Sequence, residues 1–360
     1  MPAAALPHPV LGERVVRHGF TARPARTVAD AARLTCAIQA QDPAASRLGV
    51  RSRSATLVAD DVRTAIERDR SVVRTWLMRA TIHLVATEDV RWLTAAFGAA
   101  NARKFRKRWL DLGLTDELLA RAVAELPDIL SVGPLTRTEI VDELEGRGVV
   151  IDRTDQAPTH LMLHATTLGL VCRGPDRGRD ATFALLDQWV PDAPAGPRGD
   201  EALAELARRF FIAYSPATAA DFTTWSGLPS SRAIGLIRDE LTPVDLDGRT
   251  AYRLGSVAPQ GGLRLLSGFD NYLVGYRERS LIIDEERRAA VYVGGVIKPT
   301  VLLDGRVIGI WRLSRERGAA TVEVTAFRSL TRARKRCVEA EVADIGRFVG
   351  APIELAYREV

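Results

Sequence analysis

Two glutamines with one residue between them, Gln39 and Gln41, stand in the stretch LTCAIQAQDPAASRLGV, at the end of an apolar, helix-like run (Ala31, Ala32, Leu34 and Ile38) that follows a helix-start cluster at Thr27–Asp30 and stops near Pro43. A carboxamide carries a donor and an acceptor without charge, so such a pair suits holding a water or reading a base edge. It suits equally well a pair of solvent-facing amides. Asp42 adjoins the pair, but directly before Pro43 a capping or turn role fits it better than that of a base. A second polar set alternates in WLMRATIHLV. On a strand, Arg79, Thr81 and His83 share one face and Ala80, Ile82 and Leu84 the other. That face either lines a cleft or is a half-exposed strand surface with a hydrogen-bonded histidine.

Positive charge is the next candidate chemistry. The block NARKFRKRWLDLG sets Arg103, Lys104 and Lys107 around Phe105 and Trp109, which are four residues apart and share a helix face. Phosphate contact is one use of such a cluster; an aromatic-packed helix with a solvated basic side is the other. Lysine is confined to Lys104, Lys107, Lys298 and Lys335, so arginine, whose planar fork matches phosphate, carries most of the charge. Genome base composition accounts for that bias just as well. The net charge of +5 over 360 residues is mild and compatible with nucleic acid.

His160 and His164 have a spacing that binds metals, but no acidic or cysteine partner accompanies them, so helix packing is favoured and no metal is expected. No organic cofactor is expected either. Cys36, Cys172 and Cys337 are far apart and form no C-x-x-C, which fits buried reduced thiols. No run reaches the ~18 apolar residues of a membrane helix. The first twenty residues lack a secretory pattern, so a cytoplasmic protein without membrane association is expected.

These groups need a scaffold of more than one domain. Residues 1–125 read as a mainly helical unit holding the glutamine pair, with a strand-like stretch over 74–85. Residues 126–192 form a second unit. Thr136 and Glu139 make a capping box, a second helix runs over 158–167, and a hairpin follows whose loop RGPDRGR carries Arg173, Arg177 and Arg179 at its tip. Helix, helix and two-stranded ribbon is the order of a winged helix. Residues 197–257 repeat the plan, with an Asp-Gly turn in 244–252. Residues 258–360 are strand-rich: strands over 289–293, 297–303, 307–313 and 321–327, a hairpin across Asp304-Gly305, and a helix over 331–349. The fold class is α+β, with a C-terminal β-rich, barrel-like domain.

Taken together and in order, the glutamine block, WLMRATIHLV, TFALLDQWVP, FDNYLVGYRERS and GGVIKPTVLLDGRVIGIWR resemble the winged-helix family of AlkZ-like and YcaQ-like DNA glycosylases, over about residues 10 to 358. The resemblance implies tandem winged-helix units in a C-shaped arrangement and an active-site Gln-apolar-Gln motif, which falls on Gln39 and Gln41. It also implies a cleft bordered by Arg79, Thr81, His83, Asp270 and Asn271, and a partner, double-stranded DNA carrying bulky N7-alkylated purines. Relatives commonly have glycine at Ala80, an acidic residue at Asn271 and arginine at Lys298. With no lysine beside the glutamine motif to form a Schiff base, a monofunctional, monomeric enzyme without lyase activity is expected. The competing class is a non-catalytic winged-helix transcriptional regulator.

Overall fold

The structure, a computed structural model, describes residues 8–316 and 319–358. They group into two compact units, one built from the two ends of the chain (to Val62 and from Ala204), the other from Arg63–Leu203.

The first segment opens with α1 (Pro9–Arg17), where a proline occupies the first turn that has no use for its missing N–H. Thr27 and Asp30 form a capping box that starts α2 (Val28–Arg33). The expected apolar helix does not reach the glutamines. It ends at Arg33, a turn leads to a left-handed Cys36 (φ 68°), and the chain continues extended as β1 (Ile38–Gln39). Asp42 then caps α3 (Pro43–Arg53), its carboxylate accepting from the N–H groups of Ala44 and Ala45 at 2.8 and 3.1 Å.

Through α4 (Ala59–Glu67) the chain enters the second unit. There β2 (Val72–Trp76) and β3 (Ile82–Ala86) form an antiparallel hairpin. Next come α5 (Val90–Asp111), α6 (Asp116–Ile129), β4 (Leu135–Thr136), α7 (Arg137–Gly146) and α8 (Ala157–Thr167). The hairpin of β5 (Val171–Arg173) and β6 (Thr182–Leu185) follows, then α9 (Leu186–Trp189). Within this unit the strands run in the order β3-β2-β5-β6-β4, all antiparallel. The Thr136–Glu139 capping box is present and starts α7. Helix α8 is buried along most of its length because α5 crosses it closely. At Gly98 a Cβ would fall 2.3 Å from the Thr167 carbonyl oxygen, so only glycine permits that crossing.

The chain returns through α10 (Gly199–Tyr214). Phe210 and Tyr214 on this helix meet Phe222 and Trp225 of α11 (Ala219–Ser226) in an aromatic core, with Phe211 packed against Phe210. A three-stranded sheet in the order β7-β9-β8 joins them, from β7 (Ala217–Thr218), β8 (Thr242–Leu246) and β9 (Arg249–Arg253), with α12 (Ser230–Leu236) between β7 and β8. At the expected Asp-Gly turn, Asp247 and Gly248 both have positive φ, the signature of type I′.

After β10 (Leu263–Leu266) come α13 (Asn271–Val274) and α14 (Glu285–Val291). The strand expected over 289–293 is reduced to β11 (Tyr292–Val293), paired with β12 (Val296–Ile297), because a helix led by Glu285 and Glu286 persists to Val291. Strands β13 (Thr300–Leu303) and β14 (Arg306–Glu316) meet across Asp304-Gly305 as expected. Then follow β15 (Ala319–Ala326), α15 (Arg332–Val349) and β16 (Ile353–Arg358).

The barrel-like expectation is corrected here: among the described residues no barrel closes. The sheet is open, in the order β10-β13-β14-β15-β16. The physical reason is α15. It carries the chain across so that β16 adds parallel to β15, and its apolar face (Val338, Val342, Ile345) covers Leu265, Val301, Trp311, Val322 and Val324. A sheet face covered by a helix has no need to curl onto itself. No helix among the described residues is long and apolar enough to cross a membrane.

Candidate active site

Residues 37–39 are bonded at two points by one side chain from far along the chain. Asn271 donates through Nδ2 to the Ala37 carbonyl (2.7 Å), and its Oδ1 accepts from the Gln39 N–H (3.3 Å). A single amide thus pairs with both sides of Ile38, as a neighbouring strand would. Nδ2 also donates to the Tyr214 hydroxyl at 3.1 Å. Gln39 itself is 8% exposed, and its Oε1 is buried with no hydrogen-bond partner among the described residues. Buried acceptors are rarely left so, which makes this oxygen an open position for a donor brought by water or ligand. Gln41 is exposed. Asp42, spent on capping α3, is committed to a structural role.

The segment presenting Asn271 is anchored by its neighbour. Asp270 caps α13 through the Tyr272 N–H and forms a fully buried two-pronged pair with Arg53 at the end of α3. Two left-handed non-glycine residues, Cys36 (φ 68°) and Phe269 (φ 57°), stand just before the contacting segments. Each such conformation costs about 1–3 kcal/mol and persists only where surrounding contacts impose it. Tyr214 is buried, which pushes its phenol well above the ordinary range, so the hydroxyl keeps its proton. Its ring stacks on Phe210 and sits where a Cβ on Gly275 would come within 2.3 Å of it. Lys298, half-buried, follows β12 in the same unit.

Arg79, Thr81 and His83 belong to the second unit and do not form one strand face. Arg79 and Ala80 occupy a left-handed turn (φ 55° and 58°) between β2 and β3. The Thr81 hydroxyl closes that turn on the Met78 carbonyl at 3.0 Å. His83 is buried, with Nδ1 2.9 Å from the Thr81 carbonyl, and burial pushes its pKa down to about 3, so the ring is neutral. Steric closure of a short hairpin overrode the alternation expected over 79–83.

The basic cluster splits likewise. Arg103, Lys104 and Lys107 are exposed on α5, and Lys104 Nζ reaches the Arg79 carbonyl at 3.2 Å. Phe105 and Trp109 turn inward onto His160 and His164, with ring centroids 5.5 and 4.8 Å apart, so those histidines are packing partners. Arg173 is not at the hairpin tip. It lies over the Trp76 and Phe183 rings at 4.8 and 4.6 Å, and burial lowers its pKa to about 10. The loop tip leaves Arg177, paired with Glu139, and Arg179, which is exposed.

Sequence similarity places the chain in a family. A family described as DNA glycosylase AlkZ-like matches residues 32–348. The chain belongs to the AlkZ-like DNA glycosylase family. An interstrand DNA cross-link repair glycosylase of Streptomyces sahachiroi is 31% identical over 362 residues, covering 95% of this chain and 96% of that protein. The solved structure of the Streptomyces sahachiroi DNA glycosylase AlkZ superposes with a TM-score of 0.82 at 30% identity, covering 98% of each chain. An AlkZ-like glycosylase acts on DNA. In this AlkZ-like chain, Tyr214 and Arg53 escaped sequence reasoning. Tyr214 reads as one more aromatic of a core helix and Arg53 as a surface charge, and only their tertiary partners distinguish them.

Proposed function

We propose that the protein is a monofunctional glycosylase that hydrolyses the N-glycosidic bond of bulky N7-alkylated purines, as monoadducts or interstrand crosslinks. Repair of this kind gives self-resistance in a cell that makes a DNA-alkylating product. The observation that carries the proposal is the buried, unpartnered Oε1 of Gln39. An N7-alkylated purine already bears positive charge, so the C1′–N9 bond breaks with its electrons moving to the base, which leaves neutral and needs no acid. Water then adds its oxygen to the electron-poor C1′, and its proton passes to solvent. What the protein supplies is position. A neutral amide oxygen accepts a hydrogen bond from that water without holding a proton itself, and such orientation accelerates reaction by orders of magnitude. Gln41, exposed two residues on, is placed in this proposal as a second amide contacting sugar or phosphate.

Double-stranded DNA is gripped, in this proposal, by a monomer of tandem winged-helix units through Arg103, Lys104, Lys107, Arg177, Arg179 and Lys298. The transcriptional-regulator alternative is disfavoured by α8. If α7, α8 and the β5–β6 hairpin are a winged helix, α8 is the helix that would read a groove, and α5 packs across it.

The test uses duplexes carrying a single N7-methylguanine or a nitrogen-mustard crosslink between N7 atoms. Base release is scored after alkaline cleavage. The wild type should release the adduct, and strands should stay intact before alkali. Gln39→Ala should lose roughly a hundredfold or more in rate while still binding DNA. Adducts untouched by wild type, or full activity in a Gln39→Ala, Gln41→Ala double variant, would refute the assignment.

A further inference from the structure

We propose that Asn271 and Tyr214 are positioning residues for Gln39, with Asn271 acting as a side-chain substitute for a strand partner and Tyr214 fixing the orientation of its amide. The proposal rests on Gln39 being the amide that holds the attacking water.

The geometry determines the amide's orientation. The Ala37 carbonyl can only accept and the Gln39 N–H can only donate, so one of the two possible flips of Asn271 satisfies both. The remaining Nδ2 hydrogen meets the Tyr214 hydroxyl. One side chain, 2% exposed, thus pairs with the Ala37 carbonyl, which also accepts from the Thr35 hydroxyl at 3.2 Å, and with the Gln39 N–H. That side chain is seated by the Asp270–Arg53 pair on one side and by Tyr214, stacked on Phe210, on the other. Extended backbone at Ile38 sends the Gln39 side chain to the face opposite Ile38. The left-handed turns at Cys36 and Phe269 bring the two segments into register for this contact. A carboxylate at position 271 would still accept from the Gln39 N–H, but it would set an acceptor against the Ala37 carbonyl. The amide at 271 therefore satisfies both backbone groups, where a carboxylate satisfies one.

The test compares wild type, Asn271→Asp, Tyr214→Phe, Gln39→Ala and the Gln39→Ala, Asn271→Asp double variant. Two quantities are measured on a duplex with one N7-methylguanine and its undamaged counterpart: the single-turnover rate of base release, and the Kd. Asn271→Asp should slow release roughly tenfold or more, and Tyr214→Phe should slow it several-fold, each with Kd unchanged. The double variant should be no slower than Gln39→Ala, because a residue acting through Gln39 has nothing left to position. Full release rates in folded Asn271→Asp or Tyr214→Phe overturn the proposal. So does an equal loss from Asn271→Asp with and without Gln39. If Asn271→Asp does not fold, the nearly isosteric Tyr214→Phe variant, alone and combined with Gln39→Ala, decides by the same criteria. A fully active Gln39→Ala enzyme sinks the catalytic assignment itself and this proposal with it.

Discussion

The Arg53 guanidinium grips both carboxylate oxygens of Asp270 at 3.0 Å, and neither side chain is exposed to solvent. The pair ties the end of α3, which follows the glutamine motif, to the turn that presents Asn271. In so dry a place each charge depends on the other, because an unpaired buried ion is far more costly than a missing pair.

Removing one partner should therefore be severe. Asp270→Ala is expected to lose about 3–5 kcal/mol of stability, since it strands Arg53 and uncaps α13. A double Arg53→Met, Asp270→Ala variant should recover part of that loss, because no charge remains buried alone. Chemical denaturation of the two variants checks the order. An Asp270→Ala protein as stable as wild type would show that solvent reaches Arg53.

A second buried network predicts acid sensitivity. Arg51 bonds Glu341 and Asp344 at 3.1 and 2.9 Å, and Arg264 bonds Glu341 at 2.5 Å. Burial pushes both carboxyls up, but the guanidiniums of Arg51 and Arg264 around Glu341, and of Arg51 and Arg23 around Asp344, outweigh it and hold both below their ordinary values of 4.5 and 3.8. A carboxyl whose folded pKa is depressed stabilises the fold fully above its ordinary value, and that contribution is lost as pH falls through the folded value. Denaturation midpoints should drop steeply below about pH 4.5, and Glu341→Gln should flatten the drop while lowering stability at neutral pH. Identical pH profiles for the two proteins would contradict this.

The turn between β2 and β3 holds Ala80 at φ 58°, a conformation glycine adopts freely. Ala80→Gly should raise stability by about 0.5–1 kcal/mol, since the relief of strain exceeds the added freedom of the unfolded chain. Thermal unfolding reads the sign directly, and a lower midpoint would mean that the turn is unstrained.

The arginines of the β5–β6 hairpin should separate by role. Arg173→Ala removes the cation seated on Trp76 and Phe183 and should destabilise the protein by about 1–3 kcal/mol. Arg179→Ala should leave stability unchanged, weaken DNA binding evenly across sequences, and reduce the salt slope of binding by about one. Titrations at several salt concentrations, beside melting curves, distinguish the two. Equal effects on stability would erase the distinction.

Much of this molecule is dictated locally. The capping boxes at Thr27 and Thr136, the Asp247-Gly248 and Asp304-Gly305 turns, the helix–helix–hairpin order of 134–192 and the cap at Asp42 each depend on contacts within a few residues, so their signals lie in short stretches of sequence. The glutamine motif was legible for the same reason, as was family membership from ordered blocks. Tertiary packing decided the rest. It ended the helix at Arg33, short of the glutamines, turned Arg79 off its strand, drew Arg173 inward and left the C-terminal sheet open under α15. Gln39 and Asn271 are 232 residues apart, and no local propensity links them. Their contact exists because a carbonyl and an N–H of an extended segment, once buried, must find partners, and the folded chain brings one asparagine within reach of both.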